Sequence, residues 1–398
     1  MSTTLPARTY LYFLAQSVNL TTAVMSVTMA AIVGAALAPA AAWSTVPYGF
    51  QFLFVMLATY PVSRLMARIG RKRAFMLGAL PLAVSGVCGF LAVEHQQFGA
   101  LVASHSALGV YIAFANFNRF AATDNLAQHL KPKALSLVVA GGVIAAVVGP
   151  ALTEWLRDAG GFPLFSLCYA AFTALALVSL VIAMCLPVDG QVAPATAPRS
   201  PLSPPGHGIT PGIAVAMGVA ALGYGIMNLL MIQASLHMKH MHEDFSDVRL
   251  AIQWHVIAMF APSFFTGVII ERLGLRTTLC LGLLMLAGCA LLNIVAHGYW
   301  AMSSALIILG LGWNLTYVGG GALLAQLLDG QADAFKVQGQ NDLFIAIFAT
   351  AGAFAPSLLL SSLGWQGSNL LCVVMALVLL AATVKVLKGR GVAPASMV

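Results

Sequence analysis

Long stretches of predominantly apolar residues alternate along the chain with short polar segments. Each apolar run approaches or exceeds the roughly 20 residues that an α-helix needs to cross the hydrocarbon core of a bilayer. The runs fall near 10–37, 42–62, 74–93, 98–121, 134–157 and 163–186, and then near 210–236, 247–270, 277–296, 300–327, 338–361 and 367–386. The pattern predicts an all-α integral membrane protein with twelve transmembrane helices. The first run is too long for a signal-peptide core and is kept as a membrane helix. The segment 187–209, rich in Pro, Ala, Ser and Gly, cannot bury enough apolar surface to fold and is expected to be a flexible linker. The expected organisation is a six-helix bundle over 1–186, the linker 187–209, and a second six-helix bundle over 210–398.

The two predicted bundles repeat each other. SRLMARIGRKRAFMLGALPLAVSG, from Ser63, aligns with GVIIERLGLRTTLCLGLLMLAG, from Gly267, at an offset of 204, so Arg68 and Gly70 answer Arg272 and Gly274. Gly149-Pro150 is answered by Ala355-Pro356, and Met25 and Met29 by Met227 and Met231. Duplication of a multi-helix unit is a common architecture among secondary transporters.

Composition sharpens the class. Hydrophobic residues make up 60% of the chain and charged residues only 8%, against about 25% charged in ordinary soluble domains. The six cysteines all lie in apolar runs with no CxxC pair, which supports neither a disulfide framework nor a zinc motif. The net charge of +7 is a topology signal and implies no nucleic-acid partner. With the N-terminus placed inside, sixteen Lys and Arg fall in inner segments and three, Arg157, Lys239 and Arg249, in outer ones. This asymmetry predicts a multi-pass protein with both termini cytoplasmic.

The candidate chemistry lies in the predicted hairpin 223–265. Residues four apart share a helix face, so Met227 and Met231 form one pair on the seventh helix and His255 and Met259 another on the eighth. Counted outward from His242, the pairs reach matched depths and would form two rungs roughly 6 Å apart along the helix axes. Thioether and imidazole together suit copper, particularly Cu(I). Methionine is also a common filler of apolar interiors, but His255, an ionisable group inside a membrane helix, marks a functional site by default. The stretch between the helices carries His237, Met238, His240, Met241 and His242, either a metal-capturing turn or a solvated one.

The loop carrying Ser63, Ala67, Arg68, Gly70, Arg71, Lys72 and Arg73 resembles the loop motif of the major facilitator superfamily, with Ser in place of its leading Gly and Ala in place of its Asp. The second copy keeps Gly267, Glu271, Arg272, Gly274 and Arg276. The resemblance extends over essentially the whole chain and implies the two-bundle transporter fold. It also implies a conformational latch at Arg68, Gly70, Arg71, Glu271, Arg272 and Gly274, with Glu271 rather than Ala67 as the acidic member. Met227, Met231, His255 and Met259 resemble the ligand positions of the copper-importing, CcoA-type branch. This implies copper as transported substrate with no prosthetic group, the bacterial inner membrane as location, and support of cytochrome oxidase assembly. It leaves the cytoplasmic copper acceptor unknown and the protein a monomer in the lipid bilayer.

The competing reading is a small organic substrate such as riboflavin, which would need aromatic walls and a few placed polar groups. Asn19, Gln51, Tyr111, Asn116, Asn228, Gln253, Trp254, Trp313, Asn314 and Tyr317 lie in membrane segments and offer both. Glu154, Asp124, Glu271 and Asp342 fall near helix ends, where they are expected to anchor loops or latch helices. An enzyme is not expected, because the chain has no HExxH, GxSxG or Walker phosphate loop.

Overall fold

The computed structural model describes residues 4–40, 43, 46–187, 209–240, 245–295, 298–331 and 333–388, and no strand occurs among them. The linker residues 188–208 and the turn residues Met241 and His242 lie outside the described residues. The helices are α1 (Ala7–Leu37), α2 (Val46–Ile69), α3 (Arg71–Glu94), α4 (Phe98–Ala115), the short α5 (Asn118–Ala121), α6 (Lys131–Leu156) and α7 (Ser166–Cys185). They continue with α8 (Pro211–His240), α9 (Phe245–Phe260), α10 (Ser263–Val295), α11 (Tyr299–Leu327) and α12 (Ala334–Val386). Among the described residues, nine helical segments are long and apolar enough to cross a membrane.

The longest helices are divided by glycine. Inside α10, Gly274 adopts φ 78° and ψ 157°, and inside α12 Gly364 adopts φ 68°. Gly70, between α2 and α3, adopts φ 84° and ψ 166°, nearly the conformation of Gly274. Only glycine enters this region without a steric penalty. The Arg-x-Gly spacing repeated at an offset of 204 is therefore a repeated backbone turn as well as a repeated sequence.

Proline sets the other boundary near the site. Pro262 has no N–H to continue the helical ladder and disfavours helical geometry in the residue before it. The chain accordingly breaks between α9 and α10, where Phe265 and Thr266 restart the ladder by donating to the Pro262 carbonyl. Pro150, by contrast, lies within α6, which runs on to Leu156.

Packing follows the repeat. In the first bundle α1 lies on α6, α3 on α7 and α4, and α2 on α4. In the second, α8 lies on α12 and α11, α10 on α11 and α12, and α9 on α11. Contacts across the two sets run through α2 with α12 and through α6 with α9, α10 and α11. Small residues allow this approach. A Cβ at Gly267 would press on the Lys133 backbone, and one at Gly142 would enter the Phe260 ring.

The end of the bundle that carries the basic 64–73 loop is closed by polar contacts between the two sets. Lys133 pairs with Glu271 at 2.7 Å and Lys131 with Asp329 at 2.6 Å. Arg71 pairs with Asp124 at 3.0 Å and donates across to Gln338 at 2.8 Å. Ser136 donates to the Ser263 carbonyl and accepts from the Gly267 N–H. Ala67 stands where the motif has Asp, and Arg71 is held instead by Asp124 and Gln338. Glu271 pairs with Lys133, whereas Arg68 and Arg272 are exposed. A polar cavity of about 420 Å³ lies at this end, lined by Arg8, Arg71, Asp124, Lys131, Asp329 and Gln338 among others.

Candidate substrate site

His255 and Met259 of α9 are both buried, and their backbone lies against α11, where a Cβ at Gly310 would collide with the His255 carbonyl oxygen. His255 Nδ1 lies 2.7 Å from the Leu306 carbonyl oxygen, so Nδ1 carries the proton and donates. That leaves Nε2 as the acceptor, buried and with no partner among the described residues. Met227 of α8 is buried and Met231 half-buried, both within or against the main apolar core. The arms α8 and α9 each lie on α11 as well as on one another.

The stretch taken as a turn is different from expectation. α8 runs on to His240, so His237, Met238 and His240 are helical. The His237 ring stacks on Trp365 at 4.0 Å and 9°, and Met238 is fully buried. The helix continues because nothing before His240 breaks it, and Trp365 of α12 covers its C-terminal turns. Among the described residues no three His, Cys, Asp or Glu side chains group to hold a metal.

Midway along α8 and α11 the structure places an aromatic group. Trp313 and Tyr317 are stacked, with centroids 4.7 Å apart and planes 13° from parallel. Tyr224 meets both edge-on at 5.6 and 5.9 Å, and Phe260 meets Trp313 edge-on at 5.5 Å. Helical spacing produces the stack, since Trp313 and Tyr317 are four apart on α11. Stacked and edge-to-face contacts of this kind are the arrangements that aromatic rings prefer.

Next to it lies a buried ion pair that the sequence reading misplaced. Arg119, counted there as an inner-loop charge, is only 2% exposed. Asp342, expected near a helix end to anchor a loop or latch helices, is 5% exposed. The two pair directly, Arg119 Nη2 donating to Asp342 Oδ1, and so join α5 to α12 across the two sets of helices. The guanidinium also lies over the rings of Tyr317 at 4.3 Å and Phe120 at 4.6 Å. Both charges sit inside apolar runs, 98–121 and 338–361, and an ionisable residue there was the available signal. Assigning them to helix ends by position along the run hid it, because contact between the two sets of helices buries residues that a linear count places near the surface.

Several polar residues proposed as cavity lining instead tie helices together. Asn314 donates to the Met259 carbonyl at 2.6 Å and to Ser263 Oγ at 2.5 Å, and accepts from Thr266. It thus satisfies groups freed by the break at Pro262. Asn228 donates to the Ala349 carbonyl at 3.0 Å, and Gln51 accepts from Ser26 at 2.6 Å. Trp254 is about half exposed.

This fold, with polar and aromatic groups converging at mid-span, is that of a membrane transporter. The sequence pattern of the Major Facilitator Superfamily matches residues 9–209 and 213–395. The chain belongs to that superfamily of transporters. It is 31% identical over 382 residues to a protein of Brucella anthropi described as the riboflavin transporter RfnT, covering 96% of each chain. In fold it is similar to the human organic anion transporter MFSD10, with a TM-score of 0.76 at 14% identity, over 95% of this chain and 100% of that one. It is also similar to a bacterial homologue of the iron transporter ferroportin in an outward-facing state, with a TM-score of 0.71 at 13% identity, over 96% and 99% of the two chains. None of these is described as a copper importer, and the expected copper chemistry gains no support from them.

Proposed function

We propose that this protein is an importer of a small, flat, aromatic organic substrate of the riboflavin type, acting in the bacterial inner membrane. The observation that carries this reading is the 31% identity over 96% of the chain to a protein described as a riboflavin transporter. The stack of Trp313 and Tyr317, with Tyr224 and Phe260 at its edges, is the chemistry that such a ring needs. In this reading 1–186 and 210–398 rock about the site, 187–209 links them, both termini are cytoplasmic, and the contacts of Lys133, Lys131 and Arg71 hold the inner end shut. Purified protein in liposomes should take up riboflavin faster than empty liposomes do. Equal rates would overturn the reading.

One observation favours copper as a second reading. Nδ1 of His255 is held by a backbone carbonyl while Nε2 is buried with its lone pair unused, which is how ligating histidines are oriented. Met227, Met231 and Met259 would supply thioethers. The same liposomes loaded outside with Cu(I) separate the readings, since copper transport through these residues would be lost in Met231→Ala and Met259→Ala.

A further inference from the structure

We propose that the open edge of the Arg119–Asp342 pair anchors the imide edge of the substrate, the C=O, N–H, C=O array of a neutral pyrimidinedione-type ring. The inference rests on the riboflavin-type reading and names the part of the substrate that the site recognises.

The hydrogen-bond inventory points there. A guanidinium has five N–H donors. Arg119 gives one to Asp342 and presents its faces to Tyr317 and Phe120, while Nε and Nη1 have no partner among the described residues. Asp342 Oδ1 accepts from Arg119 and from Asn341 at 2.8 Å, and Oδ2 has no partner. Trp313 Nε1, on the adjoining stack, is also without one. Buried polar groups are almost always satisfied. Here unpaired donors and an unpaired acceptor collect around one aromatic group.

The set is complementary to an imide. Carbonyl oxygens accept from Arg119 and Trp313, and the imide N–H donates to Asp342 Oδ2, while the ring lies beside the group formed by Trp313, Tyr317 and Tyr224. Charge selects a neutral ligand. Arg119 and Asp342 already neutralise each other, so a carboxylate ligand would draw Arg119 away and leave Asp342 buried and unpaired, which is strongly unfavourable. Because the pair bridges α5 and α12, a ligand on its edge touches both halves of the transporter at once.

The test uses full-length protein in nanodiscs, with riboflavin and 3-methylriboflavin as probes and quenching of flavin fluorescence as readout. The methyl group removes the imide N–H donor and adds its own bulk at that nitrogen, and the paired variant below reports the part that depends on Asp342. Losing a hydrogen bond to a charged group lowers affinity by about 10- to 100-fold, so 3-methylriboflavin should bind that much more weakly than riboflavin. In the paired variant Arg119→Met with Asp342→Leu, which leaves no unpaired charge, the ratio of the two affinities should fall to about one. Equal binding of the two flavins by the parent protein would overturn the anchor while leaving the riboflavin-type reading intact. A ratio unchanged in the paired variant would place the recognition elsewhere and also overturn it. Binding of neither flavin by the parent would remove both the anchor and the reading on which it rests.

Discussion

Two buried polar regions in this protein have opposite hydrogen-bond economies. In the first half, His105 contacts Gln51 at 3.1 Å and Ser26 at 3.4 Å through Nδ1, and Tyr169 at 3.0 Å through Nε2. Both ring nitrogens are used, and Met25 and Met29 nearby are fully buried. In the second half, His255 uses one nitrogen, and the region where that half meets Arg119 of the first holds unpaired groups on Trp313, Arg119 and Asp342. A polar cluster that closes on itself rigidifies its bundle. One that leaves donors and acceptors open in a dry interior is costly unless a ligand completes it. The repeated methionine spacing, Met25 and Met29 against Met227 and Met231, thus occurs in two different settings and does not identify a site by itself.

The comparison breaks most visibly at the ion pair. Arg119→Ala leaves Asp342 buried without its partner and is expected to cost about 3–5 kcal/mol of stability, together with loss of transport. Thermal unfolding in detergent and liposome uptake check the two losses separately. The paired change Arg119→Met with Asp342→Leu should restore most of the stability and none of the uptake. Recovered uptake would make the pair a structural brace only.

A smaller effect separates the two histidines. His105→Ala strands the Tyr169 hydroxyl while Gln51 keeps Ser26 as its donor, and the unsatisfied group costs about 1–3 kcal/mol. His255→Ala removes one donor from one carbonyl, so its loss should be the smaller of the two in the same unfolding assay. Equal losses would end the distinction between a closed and an open cluster.

The smallest effect is expected at the methionines. Met25→Leu and Met227→Leu are nearly volume-conserving, and each should cost less than about 1.5 kcal/mol. Riboflavin uptake should survive both. Copper uptake abolished by Met227→Leu and untouched by Met25→Leu would instead give the second half its metal site.

The apolar runs of the sequence were sufficient for the membrane class and all-helical fold, because each long apolar helix must satisfy its backbone internally in lipid. The glycines of the repeated Arg-x-Gly turn were legible too, and Gly70 and Gly274 adopt nearly one conformation. Trp313 and Tyr317 were visible as candidates, since their spacing alone puts them on one helix face. Arg119 with Asp342 was not, being 223 residues apart in the chain. Nor was the sorting of Gln51, Asn228 and Asn314 into helix-to-helix ties. Local spacing determines which residues share a face, whereas the pairing of charges and the satisfaction of buried polar groups depend on which faces of distant helices meet. Only the packing of α2 on α1 and α4, of α8 on α12 and of α11 on α9 and α10, with Arg119 of α5 reaching Asp342 of α12, decided that.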